Sequence, residues 1–169
     1  AYDNRVTVKY HSDNFTSSLF ALIHEVGHAT YNGQVDEKHN GHLVASNMSF
    51  GMHESQSRLF ENMLGRSKAF WVTLYPFFQE EVNCLKDVSL DEFILGVNFV
   101  SSSLIRIEAD ELTYPLHILI RYEIEKELFN GQLSVEGLDE VWADKYEQYL
   151  GVRPQNASEG ILQDIHWSG

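Results

Sequence analysis

The segment His24-Glu25-Val26-Gly27-His28 constrains this chain more than any other feature of its sequence. On an α-helix, residues four positions apart lie one above the other, so both imidazole rings would point to the same side. Two such rings can reach one tetrahedral metal ion, with a carboxylate beside them. The alternative is a surface helix on which the two histidines are merely solvated.

The residues around this segment predict the helix that the arrangement needs. Residues 17–31 show apolar side chains at the i, i+3, i+4, i+7 spacing of a helix face, namely Leu19, Leu22, Ile23 and Val26. Asp13 or Asn14 can cap the start of the helix. The histidine pair is therefore expected in the middle of a helix, where its geometry is useful.

A catalytic metal site of this kind needs a third protein ligand. The candidates are His39, His42, His53, Glu54 and Glu61. Glu54 fits best, because it opens a second apolar-periodic run that could form a helix crossing the first. Alternatively, Glu54 could be an acidic residue at the N-terminus of that second helix, where it would only complement the helix dipole. Two histidines and a glutamate leave a fourth position for water, and Glu25 would lie beside that water as a base. The pattern predicts metal-assisted hydrolysis.

Five motifs, spread from residue 3 to residue 167, resemble those of the M32 metallocarboxypeptidases, the thermostable carboxypeptidase Taq group. They are Asp3-Asn4-Arg5-Val6-Thr7, the histidine segment itself, His53-Glu54-Ser55-Gln56-Ser57-Arg58, the run from Ile105 to Tyr114, and Gly160-Ile161-Leu162-Gln163-Asp164-Ile165-His166-Trp167. Their order along the chain also matches. The resemblance covers essentially the whole chain.

This resemblance implies an enzyme that removes residues one at a time from the free C-terminus of peptides. It implies a mostly helical fold around a deep groove, with His24, His28 and Glu54 binding zinc or cobalt and Glu25 as general base. Similar proteins are about three times as long and are dimers. We therefore expect residues 1–169 to form a single domain, the C-terminal catalytic part of a longer enzyme, with a homodimer as one assembly.

The composition restricts the partners and the compartment. The net charge of −13 would repel phosphate backbones and anionic lipids, so neither nucleic acid nor a membrane is expected as a partner. No apolar run approaches the length of a membrane span, and no signal peptide is visible. The single cysteine, Cys84, cannot form an internal disulfide, which fits the cytoplasm, and we expect it to be a buried thiol.

A carboxypeptidase must also recognise the C-terminal carboxylate of its substrate, and an arginine fork matches that group best. The candidates are Arg5, Arg58, Arg106 and Arg121. Arg106 is the first choice, because the acidic Glu108-Ala109-Asp110-Glu111 cluster that follows could hold it in place. A structural ion pair with the same acids is the alternative, and the two roles are compatible.

A predicted helix over residues 109–129 supplies further candidates for substrate binding. Its polar stripe contains Asp110, Tyr114, His117 and Arg121, opposite an apolar face of Leu112, Leu116, Leu119 and Ile120. The stripe would be exposed to a groove, where Tyr114 could donate to an oxyanion, or else to water. From the resemblance, Gln163 and His166 are expected in a wall of the substrate groove.

The remaining pattern predicts a mainly α fold of zincin type with a small antiparallel hairpin or sheet. Residues 5–10 alternate like a strand, and residues 43–49 could pair with it beside the metal-binding helix. Further helices are predicted over 53–83 with a kink at Pro76, over 90–99 behind a Ser89-x-x-Glu92 capping box, over 109–129 and over 137–149.

The functional interpretation is thus a metal-dependent carboxypeptidase acting on peptides with a free C-terminus. The alternatives are a folded metal-binding piece without activity in isolation, and a zinc endopeptidase or dipeptidyl-type peptidase, which would also cut a peptide with an amidated C-terminus. One divalent metal is expected, with Zn²⁺ first and Co²⁺ or Mn²⁺ as alternatives, because the same nitrogen and oxygen ligands suit all three.

Overall fold

The computed structural model describes residues 3–45 and 49–164, with the side chain of Val44 left out. The chain forms two compact units, Ala1–Val97 and Asn98–Gly169, and each is described by itself. Both units are helical, so the mainly α prediction is confirmed. The single-domain interpretation of residues 1–169 stays a prediction.

The first helix confirms the prediction and extends it by two residues at each end. Helix α1 spans Phe15–Gly33, and the Asn14 side chain accepts a hydrogen bond from the Ser17 amide at 3.1 Å. Asn14 is thus the N-cap, which satisfies one of the amide groups that the first turn leaves unpaired. The histidine pair lies in the middle of this helix.

The predicted β hairpin is wrong, since residues 3–45 and 49–164 contain no strand. Residues 3–11 form no regular secondary structure, and Tyr10 of the predicted strand is 76% exposed. Leu43–Ala45 forms a 3₁₀ turn instead of a strand, and residues 46–48 lie outside the described part. Alternation alone does not make a strand when no neighbour supplies the hydrogen bonds.

The long helix predicted over 53–83 is divided in two. Helix α2 spans Phe50–Arg58 and continues as a π-helical segment, Leu59–Leu64, which ends where the Gly65 amide donates to the Phe60 carbonyl at 2.8 Å. Helix α3 spans Lys68–Glu81 behind a Ser67 N-cap and contains Pro76. Serine is favoured at the N-cap of a helix and less so in a helix interior, so Ser67 marks the start of a separate helix.

Helix α4, Leu90–Val97, completes the first unit. The predicted capping box is confirmed: the Glu92 carboxylate accepts from the Ser89 amide at 2.9 Å, and the Ser89 hydroxyl accepts from the Glu92 amide at 3.2 Å. The apolar core of the unit is formed by Phe20, Trp71, Tyr75, Leu85, Phe93 and Val97. Cys84 is exposed rather than buried, since it lies in the short turn between α3 and α4.

The second unit is built on helices α5, Tyr114–Phe129, and α6, Leu138–Leu150. Its core contains Ile120, Ile124, Leu138, Trp142, Tyr146 and Leu150. The prediction for this region is wrong in two respects. The helix begins at Tyr114 and not at 109, and the buried side of α5 includes His117, whereas Leu112 and Leu119 of the predicted apolar face are exposed.

None of the helices in the described part of the chain is long and apolar enough to span a lipid bilayer.

Candidate metal centre

The candidate site lies where α1 crosses α2, and this crossing is unusually close. A Cβ atom added to Gly27 would stand 2.7 Å from the Cα of Ser57 and 2.8 Å from the carbonyl oxygen of Gln56. Such distances mean that only a glycine fits there. Ser57 is completely buried at the contact. The crossing places α2 against the face of α1 that carries the two histidines.

Three predicted ligands come together at this crossing. One ligand atom each from His24, His28 and Glu54 lies within 4.8 Å of the other two. The Glu54 carboxylate is 3.3 Å from the Nε2 atom of His28 and 3.6 Å from that of His24. The two rings stand nearly perpendicular, at 82°.

The two distances from the Glu54 carboxylate to the histidines fit a tetrahedral ion. Two ligands that each lie about 2.0–2.1 Å from a tetrahedral Zn²⁺ are about 3.3 Å apart. The donor set is two imidazole nitrogens and one carboxylate, which is the set of an open catalytic zinc site. The residues present therefore fit a divalent metal, although the same set suits several metals of the first transition row.

The far side of the His24 ring is held by a carboxylate. The Nδ1 atom of His24 lies 2.8 Å from Glu61, whose carboxylate also accepts from the Arg58 guanidinium at 2.8 Å. An ionised carboxylate can only accept, so His24 donates from Nδ1, and its Nε2 atom keeps the lone pair that a metal needs. The Nε atom of Arg58 also lies 3.4 Å from Glu54.

The far side of the His28 ring is held by a second histidine. The Nδ1 atoms of His28 and His53 are 2.5 Å apart, and the Nε2 atom of His53 lies 3.0 Å from the side-chain oxygen of Asn32. Desolvation and the neighbouring His28 lower the pKa of His53, with Glu54 opposing them. A neutral His53 can donate from one nitrogen and accept at the other.

Glu25 follows His24 directly in α1, so its side chain leaves the helix on an adjacent face. The side chain is partly buried, and within residues 3–45 and 49–164 its carboxylate has no hydrogen-bond or ion-pair partner. A carboxylate that is not already engaged retains its capacity to accept a proton.

Comparison with known proteins assigns the chain to a family. The family model of the carboxypeptidase Taq (M32) metallopeptidases matches residues 1–169. The chain belongs to the M32 metallopeptidase family. It is 50% identical over 168 residues to carboxypeptidase 1 of Bacillus subtilis and 48% identical over 167 residues to thermostable carboxypeptidase 1 of Thermus thermophilus. These alignments cover 99% of this chain but 34% and 33% of the two relatives, so the chain spans about a third of their length.

Solved structures agree with this assignment. The M32 carboxypeptidase of Deinococcus radiodurans matches with a TM-score of 0.91 and 42% identity, over 95% of this chain and 32% of that one. Carboxypeptidase of Pyrococcus furiosus matches with a TM-score of 0.91 and 40% identity, again over 95% of this chain and 32% of the other. The fold described above is therefore an M32 fold.

The substrate-binding residues predicted for this M32 chain lie in several places. In the second unit, the Arg106 guanidinium donates to the Tyr114 hydroxyl at 3.1 Å, and the Arg106 amide donates to Gln163 at 2.9 Å. The Gln163 amide group in turn donates to the carbonyls of Leu104 and Glu159 at 2.7 and 2.8 Å. Gln163 thus ties the backbone of two loops together around Arg106.

Arg121 and Arg5 each form an ion pair of their own. Arg121 donates to the buried carboxylate of Asp164 at 2.9 Å. Arg5 forms an exposed ion pair with Asp3 at 2.5 Å in the first unit. His166 lies outside the described residues. The roles of all these residues in substrate binding stay predictions.

His117 is buried, which the prediction of an exposed polar stripe missed. Its Nδ1 atom lies 2.9 Å from the hydroxyl of Tyr146, and the ring is 1% exposed. Burial, with the nearby positive charge of Arg106, lowers the pKa of His117 to about 4, whereas Asp110 acts in the opposite direction. Burial also raises the pKa of Tyr146. Both groups are therefore neutral at physiological pH.

His53 and Glu61, which the sequence suggests only as third ligands, instead contact the Nδ1 atoms of the two ligand histidines. Asn32 was missed altogether. A signal was available, because His24, His28 and Asn32 follow one another at i, i+4 and i+8 on one face of α1.

Proposed function

We propose that this chain provides the catalytic metal centre of a metal-dependent carboxypeptidase, with His24, His28 and Glu54 as ligands and Glu25 as general base. The observation that supports it most is the convergence of three ligand atoms within 4.8 Å in a chain of the M32 family. The proposed substrate is a peptide with a free C-terminus.

The contacts of the two histidines with neighbouring residues support this ligand set. Because both Nδ1 atoms are engaged by neighbours, each imidazole presents Nε2 to the same side, toward the Glu54 carboxylate. A bound divalent cation would lower the pKa of a water molecule and polarise the carbonyl of the scissile bond. Zn²⁺ is the proposed metal, and Co²⁺ or Mn²⁺ would fit the same donors.

Glu25 is proposed to take the proton of the attacking water and to pass it to the leaving amine. Its position next to His24 in α1 keeps it near the ligands without being one of them. Within the described residues its carboxylate has no competing partner. A base must reach the proton that it removes, and a carboxylate engaged in an ion pair would accept that proton less readily.

For the substrate carboxylate we propose Arg106, with Arg121 and Arg5 as less favoured candidates. Arg106 is fixed through its amide by Gln163 and through its guanidinium by Tyr114. A fixed guanidinium loses less side-chain entropy on binding a carboxylate. Tyr114 is the proposed donor to the developing oxyanion, and Gln163 and His166 are proposed to line the groove.

The test combines metal analysis with peptide digestion. The purified chain is analysed for bound elements, and a peptide is incubated with wild type, with Glu25→Gln and with wild type plus chelator. The proposal expects about one divalent metal per chain and stepwise loss of C-terminal residues in untreated wild type only. An amidated copy of the peptide should remain intact.

The other outcomes contradict the proposal at different points. Metal without trimming would favour a metal-binding piece that is inactive in isolation, a candidate suggested by the chain spanning a third of its relatives. Cleavage of the amidated peptide would favour an endopeptidase. Absence of metal would overturn the ligand assignment. Reconstitution with Zn²⁺, Co²⁺ and Mn²⁺ in turn identifies which metal supports cleavage.

A further inference from the structure

The contacts behind His28 form a chain of hydrogen bonds with a definite direction. The side-chain oxygen of Asn32 can only accept, so the Nε2 atom of His53 must donate to it across 3.0 Å. A neutral imidazole carries one proton, so the Nδ1 atom of His53 has a lone pair and accepts from the Nδ1 of His28. The His28 proton is then on Nδ1, and Nε2 is free to bind a metal.

The reverse direction would disable the same ligand. If Asn32 donated to His53, the His53 proton would lie on Nδ1 and would be donated to His28. The His28 proton would then be on Nε2, the atom that lies 3.3 Å from Glu54. A protonated nitrogen cannot bind a metal, so the orientation of one amide group decides whether His28 is competent.

The neighbouring residues hold this chain of bonds in place. Asn32 is one turn after His28 on the same face of α1, and His53 immediately precedes Glu54 in α2. The Tyr31 ring packs perpendicular to the His53 ring, at 89° and 5.2 Å between centroids. The rings of His28 and His53 are inclined by 29°, with 4.5 Å between their centroids.

We propose that His53 and Asn32 are positioning residues that select the Nδ1-protonated tautomer of His28 and thereby raise the metal affinity of the site. The inference deepens the proposed function and rests on it. For His24, the residue that accepts the Nδ1 proton is an anion, Glu61. For His28, the same role is filled by two neutral side chains, His53 and Asn32. The His28 side of the site is thus fixed without a second negative charge.

The first arm of the test reads the tautomers directly in the metal-free chain. Long-range ¹H–¹⁵N correlation spectra distinguish imidazoles that carry the proton on Nδ1 from those that carry it on Nε2. We expect His28 in the Nδ1-protonated form and His53 in the Nε2-protonated form. The opposite pair of tautomers, or rapid averaging at both rings, would overturn the proposal.

The second arm measures Co²⁺ affinity by competition with a chromogenic chelator. Asn32→Leu removes the acceptor with little change in size, and Asn32→Asp retains an oxygen acceptor. We expect Asn32→Leu to bind Co²⁺ about 10–100-fold more weakly and Asn32→Asp to stay within about threefold of wild type. Asn83→Leu, at an exposed turn of the same unit, is the matched control and should change nothing.

The visible spectrum of bound Co²⁺ and the melting temperature of the metal-free variants complete this arm. We expect the spectrum of Asn32→Leu to change while its metal-free melting temperature stays near that of Asn32→Asp. Equal losses of affinity in both Asn32 variants would show that packing matters rather than the acceptor, and would overturn the proposal. If wild type binds neither Co²⁺ nor Zn²⁺, the proposed function fails. The tautomer spectra of the metal-free protein still test the proposed direction of the hydrogen bonds between His28, His53 and Asn32.

Discussion

Gly27 lies so close to Ser57 that a methyl group on Gly27 would stand 2.7 Å from the Ser57 Cα atom. This contact sets the distance between α1, which holds His24 and His28, and α2, which holds Glu54. The glycine of the histidine segment therefore acts on the candidate site through the separation of two helices. It does so without contributing a side chain.

Gly27→Ala should consequently impair both metal binding and stability. The two helices must move apart by several tenths of an ångström, because the clashing atoms belong to the backbone. We expect a loss of about 1–3 kcal/mol in the free energy of unfolding and at least tenfold weaker Zn²⁺ binding. Urea unfolding and chelator competition measure the two effects.

Gly51→Ala is the control for this substitution. Gly51 lies in α2, and a Cβ atom there would meet nothing within 4 Å. Alanine should leave Zn²⁺ affinity unchanged and stabilise the helix by up to about 1 kcal/mol. Equal Zn²⁺ affinities in the two variants would contradict the importance of the close crossing.

Glu61→Gln should weaken metal binding while the fold persists. The glutamine can still accept from His24, but without the charge the imidazole becomes a poorer donor to the metal. We expect about 10–100-fold weaker Zn²⁺ binding. Glu81→Gln, at the exposed end of α3, makes the same change of charge and should have no effect. Chelator competition on both variants decides the matter, and equal affinities would refute a positioning role for Glu61.

The second unit should lose stability in acid because His117 is buried in its neutral form. The pKa of His117 is lowered to about 4, whereas an unfolded histidine has a pKa near 6.5. Between these values the unfolded chain binds the proton that the folded chain excludes. This contribution is therefore complete above about pH 6.5 and is lost as the pH falls. By about pH 4 the loss amounts to about 3 kcal/mol.

His117→Gln isolates this contribution, since Tyr146, Arg106 and Asp110, which surround the ring, are unchanged. Urea unfolding followed through amide signals of α6 should show wild type losing about 3 kcal/mol more than the variant between pH 7 and pH 4. Parallel losses in the two proteins would mean that His117 is not the titrating group.

The capping box at the start of α4 should contribute measurably to the first unit. Ser89→Ala removes the acceptor of the Glu92 amide and one donor to the Glu92 carboxylate. We expect a loss of about 1 kcal/mol in the free energy of unfolding. Ser102→Ala, at an exposed position outside any helix, should be neutral, and thermal unfolding of both variants provides the comparison.

Local patterns in the sequence were sufficient for part of this structure. The helix around the histidines, the Asn14 cap and the Ser89–Glu92 box each depend on residues within a few positions of one another. The periodicity and hydrogen bonding of a single helix are local properties, so they can be predicted from neighbouring residues. The five motifs likewise sufficed to indicate the M32 family, which the family model confirms.

The strand predicted for residues 5–10 is wrong because a strand depends on a distant segment and not only on its own residues. A strand is stable only through bonds to another segment, and alternation within six residues does not specify that segment. The burial of His117 was missed in the same way. Whether a polar residue on a helix faces solvent depends on what packs against it, here Tyr146 of α6.

For the candidate site, local patterns were enough to predict the helix, the histidine spacing and a short set of third-ligand candidates. The packing of α2 against α1 was needed to establish that Glu54 faces both Nε2 atoms while His53 and Glu61 lie behind the rings. These three residues lie on α2 and its π-helical continuation, so their directions depend on where α2 crosses α1. That crossing is set by the contact of Gly27 with Ser57, a packing relation that no local pattern encodes.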